Sequence, residues 1–361
     1  MNHFRVVFLI LVCCVVLEGQ ENQRGNTSTQ AEAFLKLDFS NKDKIRLMFQ
    51  DLKQNKGEIE RIILQAERDV ALRALGKDDL RLQIEVFGIA ARAQAGSEES
   101  LKELNAIIDA KQPNLPAEPA PAVGFSPDGK PQEIAPGSNV QKKIEEQNRV
   151  VNERNIGFKR KAVALMAVCL IGRDDAAPKT LEVLKSLQQD QAGNIPLLVA
   201  GILAFEPNTG LDHVLKLLED TQVDQSVRQH TASFMIQVTN EMLANSKVQS
   251  LEAKVASIIP KDAPERISAG IVKMVLALPA PADDPKAIFG GPEIGVLNML
   301  ASLPQSLEAK KAMDDYVIKL KGAFSKERFE RVQVFLSSLK EMKKMLQPEA
   351  SKVPPPVPPN F

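Results

Sequence analysis

The spacing of apolar residues constrains the fold of this chain more than any other feature of its sequence. In residues 59–108 and again in residues 140–346, apolar side chains recur at intervals of three and four positions within successive segments, which places them on one face of an α-helix. The sequence lacks the two-residue alternation, with frequent turn dipeptides, that is typical of paired β-strands. Because short loops join the helical segments, the sequence predicts an all-α fold of stacked antiparallel helix hairpins, an α-α superhelix or solenoid.

A predicted helix in the middle of the chain illustrates this pattern. Val227 and Phe234 fall on its apolar face, and Arg228 is expected to point away from that face. Asp224 precedes the helix and is expected to cap its first backbone amides, while the small Ala232 lets a neighbouring helix approach. From the proline-rich stretch onward, the predicted helices run roughly over residues 140–172, 178–188, 195–205, 210–219, 226–243, 248–259, 264–278, 293–302, 306–321 and 325–346.

Four residues of this helix region carry a resemblance to a known family. Asp224, Val227, Arg228 and Ala232 follow the loose pattern D-x-x-V-R-x-x-x-A, which resembles the second helix of HEAT-type repeats. The resemblance covers roughly residues 158–278. It implies a series of helix pairs, each of which buries its apolar face against the next pair and leaves an extended surface for binding.

Composition divides the chain into several predicted parts. The apolar run from Val6 to Leu17 is typical of a secretory signal peptide, and it is shorter than the about 20 apolar residues of a transmembrane helix. The proline-rich stretch is either a linker between two domains or a long loop within one solenoid. In order, the parts are a signal peptide (1–20), a flexible segment (21–33), an N-terminal helical region (34–111), the proline-rich linker or loop (112–139), a helical-repeat domain (140–346) and a proline-rich disordered tail (347–361).

The signal peptide predicts an exported protein, either in the periplasm of a bacterial envelope or outside the cell. Cys13 and Cys14 would leave with the signal peptide, so an internal disulfide is not expected. Cys169 stands among apolar neighbours, which favours a small buried side chain over a reactive thiol. No integral membrane span is expected in the exported chain.

Charge and composition argue against several classes of function. The 46 Lys and Arg residues balance the 46 Asp and Glu residues, so no overall positive field attracts nucleic acid. The 3 histidines are too few and too scattered to predict a metal site, and no cofactor is expected. A G-x-S-x-G turn with its serine nucleophile is also missing. The sequence therefore predicts no catalytic residues and no enzyme activity.

The irregular segment from Pro279 to Pro292 is the best candidate for a binding site. It contains the adjacent carboxylates Asp283 and Asp284 and the aromatic residue Phe289, which we expect to contact a partner. Long loops in compact proteins often carry function. The alternative is a proline-stiffened connection between two helices, with no binding role.

These features together predict an exported, non-enzymatic helical-repeat scaffold that presents an extended surface to another protein or envelope macromolecule. One alternative is a hydrolase-type enzyme whose carboxylates, around Asp283 and Asp284, converge only in the fold. Another is a membrane-peripheral protein that acts through its last helix, whose apolar stripe consists of Phe329, Val332, Phe335, Leu336, Leu339, Met342 and Leu346.

Overall fold

The structure is a computed structural model that describes residues 77–111, 139–244, 250–283, 291–304 and 306–346. Of these residues 82% are helical, and they contain 12 α-helices and no strand, which confirms the predicted all-α fold. The α-helices are α1 (Lys77–Gln94), α2 (Glu98–Asp109), α3 (Asn139–Leu170), α4 (Ala176–Lys185), α5 (Ile195–Phe205), α6 (Pro207–Glu219), α7 (Gln225–Ala244), α8 (Leu251–Ala256), α9 (Ala263–Ala277), α10 (Pro292–Ser302), α11 (Leu307–Ala323) and α12 (Lys326–Leu346), with a 3-10 helix at Gln189–Asn194 between α4 and α5.

Several predicted segments lie outside the described residues. These are the signal peptide (1–20), the segment 21–33, most of the N-terminal helical region, residues 112–138 of the proline-rich stretch and the tail (347–361). Within the described residues, the helices begin and end within a few residues of their predicted positions. Three of them begin after a serine whose hydroxyl accepts a hydrogen bond from a backbone amide of the first turn: Ser97 before α2, Ser250 before α8 and Ser306 before α11.

The chain divides into two compact units, and the division differs from the one that composition suggests. Unit 1 ends at Ala263 and unit 2 begins at Pro264, inside the predicted domain 140–346. Helices α1 and α2 precede the proline-rich stretch, yet both contact α3, which follows it. Val86, Phe87 and Ala90 on α1 are almost fully buried. Prolines mark where a helix cannot continue, but they do not report whether the apolar faces on either side meet.

Helix α5 lies in the core of unit 1. Its sequence IPLLVAGILAF is apolar throughout, and nine of its residues are buried. It contacts α3, α4, α6, α7, α8 and the 3-10 helix. A helix that is apolar on every side requires such an enclosure, because no part of its surface gains from contact with water.

The described helices of unit 1 pack in an order that follows the sequence. Each of the helices from α1 to α7 contacts the next one along the chain, α1 contacts α3, α3 contacts α5, α4 contacts α6, and α5 contacts both α7 and α8. Two ion pairs join alternate helices at the surface. Lys179 of α4 lies 2.7 Å from Asp109 of α2, and Lys185 of α4 lies 3.3 Å from Asp220, which follows α6.

Two glycines let neighbouring helices approach α5 closely. A Cβ atom added to Gly201 of α5 would lie 3.0 Å from the Met166 Cα of α3. One added to Gly210 of α6 would lie 2.7 Å from the Ile202 carbonyl oxygen of α5. Since both neighbours are backbone atoms, any larger residue would require a helix to move.

This close approach predicts opposite effects for two matched alanine substitutions. Gly210 and Gly295 are each the fourth residue of a helix that begins with proline, but a Cβ atom at Gly295 would have nothing within 4 Å. Gly295→Ala should raise the free energy of unfolding by about 0.5–1 kcal/mol, because alanine loses less backbone entropy on folding. Gly210→Ala should lower it by about 1–3 kcal/mol through overpacking. Urea unfolding followed by circular dichroism measures both, and effects of the same sign would contradict the packing described.

Unit 2 contains α10, α11 and α12, with α9 beginning at the division. Helix α10 contacts α11 and α12, and the latter two contact each other. The fully or almost fully buried side chains include Ile267, Ile271, Met274, Val296, Leu297, Leu300, Tyr316, Leu320 and Val332. Of the predicted apolar stripe on α12, Val332 and Leu339 are buried, Phe329, Phe335 and Leu336 are partly exposed, and the side chains of Met342 and Leu346 lie outside the described residues. Among the helices described, none combines the length and apolarity needed to span a bilayer.

Candidate functional site

Arg328 forms the centre of a buried polar cluster in unit 2. This residue lies in the first turn of α12 and is only 6% exposed. Its Nη2 donates to both carboxylate oxygens of Glu293, at 3.2 Å each, and its Nη1 donates to the Ala282 carbonyl oxygen at 2.6 Å. Nη1 also lies 3.6 Å from Oδ1 of Asp283. One guanidinium therefore binds residues on both sides of the segment 284–290.

Arg328 compensates the buried charge of Glu293. Glu293 is 5% exposed, and a carboxylate so far removed from water needs a cation with matching hydrogen bonds. Arg328 supplies both, because its Nη2 alone donates to the two carboxylate oxygens. The guanidinium also lies over the Phe324 ring, 4.0 Å from its centroid, which adds a cation–π contact.

Asp283 joins the same cluster from the N-terminal side of the loop. Its Oδ2 accepts a hydrogen bond of 2.8 Å from the backbone amide of Ser325, the residue before α12. A carboxylate at this position satisfies a free amide and interacts favourably with the positive end of the helix dipole. The structure thus brings Asp283, predicted as a partner contact, into bonds within its own chain. Asp284 and Phe289, predicted with it, lie outside the described residues.

A lysine fixes the chain where it enters the loop. Lys319 of α11 donates from its Nζ to the carbonyl oxygens of Leu276, at 3.5 Å, and of Leu278. These carbonyls lie at the end of α9, where the last carbonyls of a helix have no partner within it. A lysine is favourable there because it also meets the negative end of the helix dipole.

Sequence alone does not single out Glu293, Arg328 or Lys319. Each stands in an amphipathic helix with other charged residues, where a solvent-exposed position is the ordinary expectation. The position of Arg328 does carry a weak signal. A cation in the first turn of a helix is unfavourable to the helix dipole, so an acidic partner is to be expected there.

Tyr316 lies near the cluster, and its ionisation is sensitive to the charge of Glu293. It is 3% exposed, and it is the only tyrosine of a chain that has no tryptophan. Burial, together with the negative charge of Glu293, raises the pKa of Tyr316 to about 12. Both causes disfavour the phenolate, because the ionised ring would lose hydration and meet a like charge.

The raised pKa of Tyr316 predicts a delayed tyrosine titration. An unfolded tyrosine ionises near pH 10, so the stability contributed by the neutral ring is present below about pH 10 and is lost as pH rises through about 12. Ultraviolet absorbance of tyrosinate should therefore change only near pH 12, together with the loss of helical circular dichroism. Reversible ionisation near pH 10 with the helices intact would contradict the burial of this ring.

The motif residues of α7 have structural roles. Asp224 accepts a hydrogen bond of 2.7 Å from the Ser226 amide, which confirms the predicted cap. Hydrogen bonding with the Ser226 side chain, and then with its backbone, lowers the pKa of Asp224. Val227, Ala232 and Phe234 are buried, as predicted. The expectation that Arg228 points away from the packed face is wrong. Arg228 is 6% exposed and donates from its Nε to the Val223 carbonyl oxygen at 3.2 Å, because the turn before α7 offers a buried acceptor.

Cys169 has the inert environment that its sequence context predicts. It is 1% exposed, and its Sγ lies 3.4 Å from the Thr180 hydroxyl oxygen. Burial raises the pKa of the thiol to about 11, so the reactive thiolate is scarce at neutral pH. In the part of the chain that the structure describes, no group of three or more His, Cys, Asp or Glu residues could hold a metal ion.

No protein-family model, no curated protein and no solved structure matches this chain. What the cluster can do must therefore be inferred from its geometry. Both carboxylates are bound to donors within the chain, and the donors come from α12 and the residue before it. Such an arrangement can hold the two ends of a loop at a fixed separation.

Proposed function

We propose that this chain is an exported, non-enzymatic helical scaffold that binds another protein, or another envelope macromolecule, through the loop from Pro279 to Pro292. The observation that carries the proposal is that Arg328 holds residues on both sides of the segment 284–290. A loop whose ends are already fixed loses less conformational entropy when it binds than a loop with free ends. Binding residues are often found on loops that a rigid framework positions.

Under this proposal, the acidic and aromatic residues of the loop have two different roles, anchoring the loop and contacting the partner. Asp283 is an anchor, since its carboxylate is bound to the Ser325 amide and faces Arg328. Asp284 and Phe289 are the residues that contact the partner. They suit a partner surface with a cationic group beside an apolar pocket, because complementary charge gives specificity and a buried aromatic ring gives affinity.

We also propose that unit 1 is a stack of helix pairs of the HEAT-like kind. Support comes from the contacts between consecutive helices and between alternate ones, as a stack requires. The ion pairs Lys179–Asp109 and Lys185–Asp220 join alternate helices along this series. Such a stack leaves broad surfaces of exposed helix for a partner.

An acid–base role for the converging carboxylates has less support. A catalytic carboxylate must reach the substrate and exchange a proton with it. Glu293 is buried, and both of its carboxylate oxygens accept hydrogen bonds from Arg328. One carboxylate oxygen of Asp283 accepts a hydrogen bond from the Ser325 amide. These contacts favour anchoring over proton transfer.

Affinity capture from the native envelope or culture medium tests the binding role. The loop variant is Asp284→Asn with Phe289→Ala. Its matched control is Asp314→Asn with Val334→Ala, which makes the same Asp→Asn change and truncates another apolar side chain, both at exposed positions of α11 and α12. We expect the wild type and the control to capture the same partner and the loop variant to lose it. Capture of the same proteins in equal amounts by all three would overturn the proposal.

A further inference from the structure

We propose that Arg328 joins the two flanks of residues 284–290 and the start of α12 into one cooperative unit, so that the loss of either flank's contact loosens the other. The juxtaposition behind this proposal is one guanidinium bonded to Ala282 on one side and to Glu293 on the other. Such a unit couples the two flanks, because the opening of one flank changes the free energy needed to open the other.

The first flank is tied to the start of α12 in two ways. Arg328 binds the Ala282 carbonyl oxygen through Nη1, and Asp283 accepts the Ser325 amide at 2.8 Å. The second bond does not involve Arg328 directly. That bond nevertheless depends on the position of the Asp283 carboxylate, which the guanidinium of Arg328 attracts from 3.6 Å away.

The second flank is tied to Arg328 through the first turn of α10. Glu293 is the second residue of that helix, and both of its carboxylate oxygens accept from Nη2. The turn itself is closed by the Ile294 amide, which donates to the Gly291 carbonyl oxygen at 3.0 Å. The position of Glu293 and the closure of this turn are therefore linked.

The shape of the guanidinium makes the two flanks interdependent. Its nitrogens form a rigid planar fork, so Nη1 and Nη2 cannot move separately. The central carbon of the guanidinium lies 4.0 Å from the centroid of the Phe324 ring. If Glu293 no longer binds Nη2, the fork loses one of the contacts that set its direction, and the bond from Nη1 to Ala282 weakens with it.

The coupling stands without any partner, but its use for controlling the loop rests on the proposed function. If the loop binds a partner, then any event that displaces the start of α12 changes the affinity of the loop for that partner. By reciprocity, partner binding also changes the stability of the α12 start.

Hydrogen exchange at single-residue resolution on the full chain alone tests the coupling. Glu293→Gln keeps the size of the side chain and removes its charge. Its matched control is Glu308→Gln, because Glu308 is also the second residue of a helix but is exposed. We expect Glu293→Gln to speed exchange at the Ser325 amide, which is bonded to Asp283, by about tenfold or more, the change that about 1.4 kcal/mol of lost opening free energy produces. The control should leave this amide unchanged.

A second variant covers the case in which Glu293→Gln opens all of unit 2. Asp283→Asn acts at a side chain that is 32% exposed, and we expect it to speed exchange at the Ile294 amide on the opposite flank. An unchanged opposite flank in both variants would overturn the coupling, because the two contacts would then be independent. Since no partner is present, this result is separate from that of the capture experiment.

Discussion

Replacing Arg328 with methionine is expected to lower the free energy of unfolding of unit 2 by about 3–5 kcal/mol. The reason is that Glu293, 5% exposed, would keep its burial and lose the cation that compensates its charge. Methionine retains much of the apolar volume, so lost packing adds little. Urea unfolding followed by tyrosine fluorescence measures the effect, because Tyr316, the only tyrosine, lies in unit 2.

The control for this variant is Arg331→Met on the same helix. Arg331 is exposed, so its loss should change stability by about 0.5 kcal/mol or less. The double variant Arg328→Met with Glu293→Leu should recover part of the loss, because it leaves no buried charge without a partner. Equal unfolding midpoints for Arg328→Met and Arg331→Met would contradict the described role of Arg328.

The second large effect is expected in the core of unit 1. Leu198→Ala should cost about 2–5 kcal/mol, because Leu198 is fully buried in α5 and its removal leaves a cavity among tightly packed helices. Leu243→Ala is the matched control, since Leu243 is 63% exposed at the end of α7 and should cost little. Urea unfolding followed by circular dichroism compares the two. A small, equal effect at both positions would mean that α5 is not the core helix of unit 1.

The helices of this protein could be predicted from sequence because their signals are local. For α5, the predicted bounds and the observed Ile195–Phe205 are the same, since an apolar run between Asn194 and Glu206 has few other ways to fold. The cap at Asp224 was predictable for the same reason: donor and acceptor are close in sequence. Likewise, the apolar neighbours of Cys169 already indicated burial.

The polar cluster could not be predicted, because its members meet only through tertiary packing. Glu293 and Arg328 come from different helices, and each looks like one surface charge among many. The burial of Arg228 was missed for a related reason. Its acceptor is a backbone carbonyl, that of Val223, and backbone acceptors leave no mark in the sequence pattern.

The division between units was also beyond a reading of composition. It falls at the start of α9, at one of several short breaks between predicted helices. The proline-rich stretch 112–139 is conspicuous, yet the helices before and after it pack together in unit 1. Which apolar faces pack together depends on the shapes of their side-chain surfaces, and amino-acid composition contains no information about those shapes.

The central proposal, a scaffold of helix pairs stacked in sequence order, is tested most directly by zero-length cross-linking with a carbodiimide. Such a reagent joins only a lysine and a carboxylate that already touch. We predict cross-links between Lys179 and Asp109, 2.7 Å apart, and between Lys185 and Asp220, 3.3 Å apart, with Asp109→Asn removing only the first. Mass spectra that lack both, and instead join α4 to helices far from it in sequence, would contradict the stack.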